Sequence, residues 1–184
     1  MSALLYGFKI ALLITSGFEQ SEMVKPKEAL EKAGAIVHII SPEKNMVTGW
    51  HCEIPKLGDS FKVDILLDDA KSQDYDALLI PGGYGSPEEL RLNKKAIAFV
   101  RGFSNKPIAA ICHGPSLLID ADLIRSKKVT SYQAIKKDIE NAGGKWIDQE
   151  VVIDGNLITS RSPDDLPAFN KAIIEVFSKY KRTI

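Results

Sequence analysis

Cysteine is scarce in this chain: Cys52 and Cys112 are the only two among 184 residues. They stand in unlike surroundings, one after His51 in a polar stretch and one between Ile111 and His113. Two such residues supply neither a disulfide framework nor the four ligands of a structural zinc site, so reduced thiols are expected. An excess of charge of one sign is also missing, since Lys+Arg and Asp+Glu both total 24 and the formal net charge is zero. No run of like charges marks a footprint for nucleic acid or an anionic membrane, which leaves a small molecule or a protein as the expected substrate. Bilayer-length apolar runs are lacking, and the segment before Lys9 has no basic start, apolar stretch and small-residue cleavage site. A cytoplasmic location with no membrane partner is therefore expected. Internal repeats, low-complexity tracts and composition breaks are absent as well, so the chain reads as one domain, 1–184, with enough residues for one substantial core.

What is present is an alternation of two patterns. Phe8 to Thr15 is a nearly continuous apolar run closed by Ser16-Gly17, the mark of a strand buried on both faces. Glu19 to Gly34 follows with Met23, Leu30 and Ala33 at helical spacing, and Gly34 serves as a stop. The alternation continues with strands at Ala35–Ile40, Asp76–Ile80 and Pro107–Ile111 and helical patterns at Ser86–Phe103 and His113–Leu123. Between Pro42 and Lys71 it weakens into a peripheral antiparallel excursion. A last helix carrying Leu166, Phe169, Ile173 and Phe177 opens behind Ser162-Pro163-Asp164. Strands alternating with helices predict an α/β fold with a mostly parallel sheet and helices on both faces.

Ligands of such sheets bind at the carboxyl ends of the strands. Three junctions there hold suggestive residues: Gly17-Phe18-Glu19, Pro81-Gly82-Gly83-Tyr84 and Cys112-His113-Gly114-Pro115. Cys112, at a sharp strand-to-helix turn, resembles a nucleophile elbow, and a helix terminus together with His113 is expected to favour its thiolate. The bland alternative is a buried, inert cysteine. His113 is the candidate general base, and the backbone N–H groups of His113 and Gly83 are candidate oxyanion donors. Glu19 has two readings, a first-turn acid that stabilises its helix or a carboxyl group facing Cys112. Ser86-Pro87-Glu88-Glu89 reads as a capping box, with Ser86 as cap and Glu89 reaching back, which leaves Glu88 free. Tyr84 and Arg161 are candidates for the pocket rim. His38 reads as structural, and His51-Cys52 is left out because adjacent strand residues face opposite ways and no further ligands accompany them. No cofactor or metal is expected.

Together with Thr159-Ser160-Arg161-Ser162-Pro163-Asp164-Asp165-Leu166-Pro167, these motifs resemble the ThiJ/PfpI family nearly end to end. The likeness is closest to its intracellular protease PfpI branch, also described as protein deglycases, within the class I glutamine-amidotransferase-like superfamily. The resemblance implies a flavodoxin-like three-layer sandwich. It also implies Cys112 as nucleophile, His113 as its partner, Glu19 as the carboxyl group near the thiol, and Gly83 with His113 as backbone donors. Glu88 matches an acid that in this branch reaches the histidine of a neighbouring subunit, so a homodimer is implied, with a hexamer as the larger option.

The expected function is a cysteine-dependent hydrolase in stress protection, with three candidate electrophiles. A peptide carbonyl would make it a peptidase, a methylglyoxal adduct a deglycase, and free methylglyoxal a glyoxalase. The alternative from another class is a redox-sensing stress protein or holdase chaperone that uses an oxidisable Cys112.

Overall fold

The apolar run after Phe8 becomes the central strand of a seven-stranded sheet in the computed structural model, which describes residues 4–180. The expected limits 1–184 include terminal residues outside that range. In chain order the strands are β1 (Lys9–Leu13), β2 (Ile36–Ser41), β3 (Ile65–Leu66), β4 (Ala77–Ile80), β5 (Ile108–Ile111), β6 (Val151–Asp154) and β7 (Leu157–Ser160). They lie in the order β6-β7-β5-β4-β1-β2-β3 and pair in parallel, except for the β6–β7 edge hairpin. The helices are α1 (Gln20–Lys32), α2 (Ser86–Leu92), α3 (Lys94–Arg101), α4 (Ser116–Asp120), α5 (Lys136–Asn141) and α6 (Leu166–Tyr180).

Side chains alternate across a strand, so one continuous apolar run feeds two cores. Ile10, Leu12 and Ile14 pack with Met23 and Leu30 of α1 and Phe169 and Phe177 of α6. Ala11 and Leu13 face the other way and pack with Leu90 of α2, Phe99 of α3, Leu117 of α4 and Ile139 of α5. These are the helices on both faces of the sheet that the residue pattern predicts, and the three layers of the flavodoxin-like sandwich that the family resemblance implies.

The excursion between Pro42 and Lys71 contains an antiparallel hairpin of Met46–His51 and Lys56–Lys62. Its first strand pairs in parallel with Phe18–Glu19, which ties the hairpin to the end of β1 and brings Cys52 to the carboxyl edge of the sheet. The helix expected over Ser86–Phe103 is interrupted at Asn93, whose Oδ1 accepts the N–H groups of Lys95 and Ala96 and caps α3. The capping box expected at Ser86 does not form. The Ser86 hydroxyl instead accepts the buried N–H of Thr15 at 3.0 Å, and α2 has no side-chain cap. Glu89 thereby loses the capping role expected of it.

The chain runs from β1 to β2 and β3 on one side, then crosses to β4, β5 and β7 on the other. The strand order thus reverses between β1 and β4, and the crevice at that switch point is where the candidate residues meet.

Candidate active site

Cys112 follows β5 and has φ 61°, a left-handed backbone that a non-glycine residue adopts only under constraint. The constraint comes from both sides. Cys112 N–H donates to Ser160 O of β7 at 3.0 Å, and Cys112 O accepts the N–H of Tyr132 at 2.9 Å. Gly114 makes the turn possible, because a Cβ there would lie 2.5 Å from Ile80 O. The geometry is that of a nucleophile elbow. The helix, however, begins only at Ser116 and runs five residues, so individual N–H groups rather than a long helix dipole surround the sulfur. Those groups belong to Gly83 and His113, both of which hydrogen-bond the Cys112 thiol.

The carboxyl group against the thiol is that of Glu22, not Glu19. Glu22 is fully buried, accepts the Gly82 N–H through Oε2 at 2.8 Å, and hydrogen-bonds the Cys112 thiol. Its Oε1 is buried without a hydrogen-bond partner. Burial pushes the Glu22 carboxyl up to about 8, against the lowering effect of the Gly82 hydrogen bond. Burial also pushes the Cys112 thiol up, and the neighbouring Glu22 charge adds to this. The free protein therefore holds Cys112 above the range of an ordinary thiol, opposite to the expected stabilised thiolate, because burial of the thiol, with the neighbouring Glu22 charge, outweighs the two N–H donors.

Glu19 takes the other of its two roles. It caps α1, with Oε1 accepting the N–H and hydroxyl of Ser21 at 3.2 and 2.8 Å and Oε2 accepting the Cys52 N–H at 2.7 Å. Burial alone would raise its pKa, but the hydrogen bonds from Cys52 and Ser21 together hold it below the usual carboxylate range. Glu19, the cap of α1, and Glu22, in its first turn, are three residues apart, and only the second lies against the thiol.

His113 Nδ1 lies 3.3 Å from Cys112 Sγ. The ring stacks on Tyr132 at 5.0 Å between centroids and meets Tyr84 at 5.4 Å. Burial lowers its pKa, with Glu88 of the same chain opposing, so the imidazole is neutral at neutral pH. Glu88 is half exposed and lies 3.9 Å from Arg91, and among the described residues no carboxylate is hydrogen-bonded to the His113 ring. Arg161 pairs with Asp165 and Asp148 and does not line the cavity, whereas Tyr84 does.

The crevice is a cavity of about 290 Å³ lined by Glu22, Cys112, His113, Tyr84 and Tyr132, together with Glu19, Cys52, Glu53 and Asp164. Two glycines let it close this tightly. A Cβ on Gly82 would lie 2.6 Å from Cys112 Cβ and 2.7 Å from Glu22 Oε2. Gly83 has φ +102°, and a Cβ there would meet the backbone of Gly17 and Glu19 at 2.5 Å. Glu22 and Tyr132 were not singled out in the sequence, and Cys52 was weighed there and left out; for Glu22 the signal available was an acid on the apolar face of α1, beside Met23 and Leu30. No group of three or more metal-ligating side chains occurs among the described residues. No helix among them is long and apolar enough to cross a membrane.

The model of the DJ-1/PfpI family matches residues 8–176. The putative cysteine protease YraA of Bacillus subtilis is 46% identical over 89% of this chain and 94% of its own. Deglycase PfpI of Pyrococcus furiosus is 42% identical over 91% of this chain and 98% of its own. A two-domain Anabaena variabilis protein with DJ-1/ThiJ/PfpI-like and ferritin-like domains superposes with a TM-score of 0.84 and 37% identity, covering 91% of this chain. This chain spans about half of that protein, 47% of its length.

Proposed function

The chain belongs to the DJ-1/PfpI family, and on that premise we propose that it is a cysteine-dependent hydrolase that removes small aldehyde adducts, in the manner of a deglycase, as protection against reactive aldehydes. The observation that carries this reading is the Cys112 sulfur held between Glu22 and His113 under the N–H groups of Gly83 and His113. Glu22 and Cys112 titrate as one unit, and loss of one proton leaves a single charge in the pair. Placed on sulfur, that charge is met by two backbone N–H groups and by a protonated Glu22, and this is the nucleophilic form. Sulfur displaces the adduct's amine or thiol at the carbinol carbon, the new C–S bond forming as the bond to the leaving group breaks, and the neutral His113 imidazole carries the proton to that group. A proton then moves from this carbon to the neighbouring carbonyl carbon through an enediolate whose oxygen the N–H groups receive, so the first carbon reaches the thioester level as the second becomes an alcohol, and water releases the 2-hydroxy acid.

A cavity of about 290 Å³ narrowed by Tyr84 and Tyr132 favours a small adduct over an extended peptide. The family's peptidase option is retained for exposed or flexible chain segments. We further propose that the working unit is a homodimer or a hexamer built from it, in which Glu88 of one subunit orients His113 of another. The support is that His113 lacks a hydrogen-bonded carboxylate within the described chain while Glu88 stands half exposed nearby. The test compares wild type with Cys112→Ser on methylglyoxal-modified thiols and amines, on free methylglyoxal and on a fluorogenic peptide. The reading requires the modified thiols and amines to be the preferred substrates and Cys112→Ser to be inactive on them.

A further inference from the structure

Cys52 is the second thiol of the cavity and takes no part in the chemistry above. It follows the first strand of the hairpin, which ends at His51, and opens the turn 52–55, whose other residues are exposed. Its S–H donates to the Glu19 carboxylate, and its sulfur accepts the backbone N–H of Tyr84. The Cys112 sulfur accepts the N–H of Gly83, one residue earlier in the same loop. The two sulfurs therefore sit on consecutive backbone donors, whose nitrogens are within about 4 Å of each other by bond geometry, and face one cavity. Burial and the Glu19 hydrogen bond push the Cys52 thiol up to about 12, so it is a poor target for an oxidant itself. It is, though, already paired with a base.

We propose that Cys52 is a resolving thiol that closes an oxidised Cys112 as a reversible intrachain disulfide, with Glu19 accepting its proton. The co-reactant is a hydroperoxide. The Cys112 thiolate attacks the peroxide oxygen, forming an S–O bond as the O–O bond breaks and the second oxygen leaves as hydroxide or alkoxide. This oxidises Cys112 to the sulfenic acid and reduces the peroxide. Cys52 sulfur then attacks Cys112 sulfur: the S–S bond forms, the S–O bond breaks, and the hydroxide leaving group takes up the proton held by Glu19 to give water. A disulfide needs Cα atoms about 4.4–6.8 Å apart, and the turn 52–55 is the piece that adjusts to meet this while the sheet stays fixed. The consequence is protection, because the disulfide removes the sulfenic acid before a second peroxide takes it to the irreversible sulfinic acid.

The inference rests on Cys112 being the reactive thiol, as in the reading above, but not on any substrate. The experiment treats the full-length protein with a small excess of hydrogen peroxide over two equivalents per chain, blocks free thiols with an alkylating agent, and reads intact and peptide mass. The expected wild-type product has lost two hydrogens, yields a reduction-sensitive Cys52–Cys112 peptide, and runs as a single chain on a non-reducing gel. Cys52→Ser is expected to gain two oxygens at Cys112 instead, and Glu19→Gln to slow closure without slowing the first oxidation. The proposal is overturned if wild type accumulates sulfinate as fast as Cys52→Ser with no crosslinked peptide, or if the crosslink joins two chains. The wild-type crosslink decides the matter even if a variant folds poorly. Because mass and not turnover is read, loss of the disulfide leaves the deglycase reading intact, and loss of deglycase activity leaves the disulfide intact.

Discussion

Glu22 and Cys112 form a buried carboxyl–thiol pair across the crevice between α1 and the turn after β5, with the carboxyl group fixed by the Gly82 N–H at 2.8 Å. Removing the carboxyl group's ability to exchange a proton should act on the sulfur directly. Glu22→Gln is expected to lower turnover by roughly 10²–10⁴-fold, the range for a positioned acid–base group, and to shift the pH dependence of Cys112 alkylation. Glu19→Gln should leave that alkylation profile in place and instead cost roughly 1 kcal/mol through the lost helix cap. Equal alkylation profiles for wild type and Glu22→Gln would return Glu22 to a structural role.

The raised Glu22 pKa also predicts how stability depends on pH. Its folded value of about 8 lies above the ordinary 4.5, so the folded state binds this proton more tightly than the unfolded state. The resulting stability is complete below pH 4.5 and is lost as pH rises through about 8. Denaturant midpoints measured from pH 5 to pH 9 should fall in wild type more than in Glu22→Gln. Parallel curves would contradict the assignment.

The two loop glycines should not be interchangeable with alanine. Gly83→Ala must place a side chain at φ +102° against the Gly17 and Glu19 backbone, and a loss of ~1–3 kcal/mol in unfolding free energy is expected. Gly82→Ala drives a methyl group into Cys112 and Glu22, so activity should fall further than stability. Thermal melts and kinetics on the same samples separate the two effects.

A shared site predicts complementation. Cys112→Ala chains and Glu88→Ala chains, each inactive alone, should regenerate activity when mixed under subunit exchange. Mixed oligomers that form and stay inactive would remove the proposal, while Glu89→Ala should have little effect, since Glu89 makes no cap.

Four of the seven strands, β1, β2, β4 and β5, were legible as short apolar runs, and the elbow was legible because Cys112 directly follows one of them; β3, with two residues, and the edge hairpin of β6 and β7 were not read from the sequence. Which acid meets the sulfur was not. Glu19 and Glu22 share one turn of helix, and the choice between them is made by a distant loop: Gly82 folds over α1 and buries the second, while Cys52 and Ser21 hold the first. Cys52 was set aside for the same reason, since strand alternation says nothing about a turn that brings the hairpin's end back to the cavity. The direction of the Cys112 titration also lay beyond the sequence, because it depends on how deeply the folded chain buries the thiol and on the charge of Glu22, a partner not yet identified. The Ser86 cap failed because the hydroxyl was committed to the Thr15 N–H, 71 residues away.

The most direct test of the account is the rate of lactate release from the methylglyoxal hemithioacetal of a small thiol, compared between wild type and Cys112→Ser at neutral pH. The account predicts measurable kcat/KM in wild type and a rate at the buffer background in Cys112→Ser with the fold unchanged. A Cys112→Ser protein that releases lactate at the wild-type rate would contradict it.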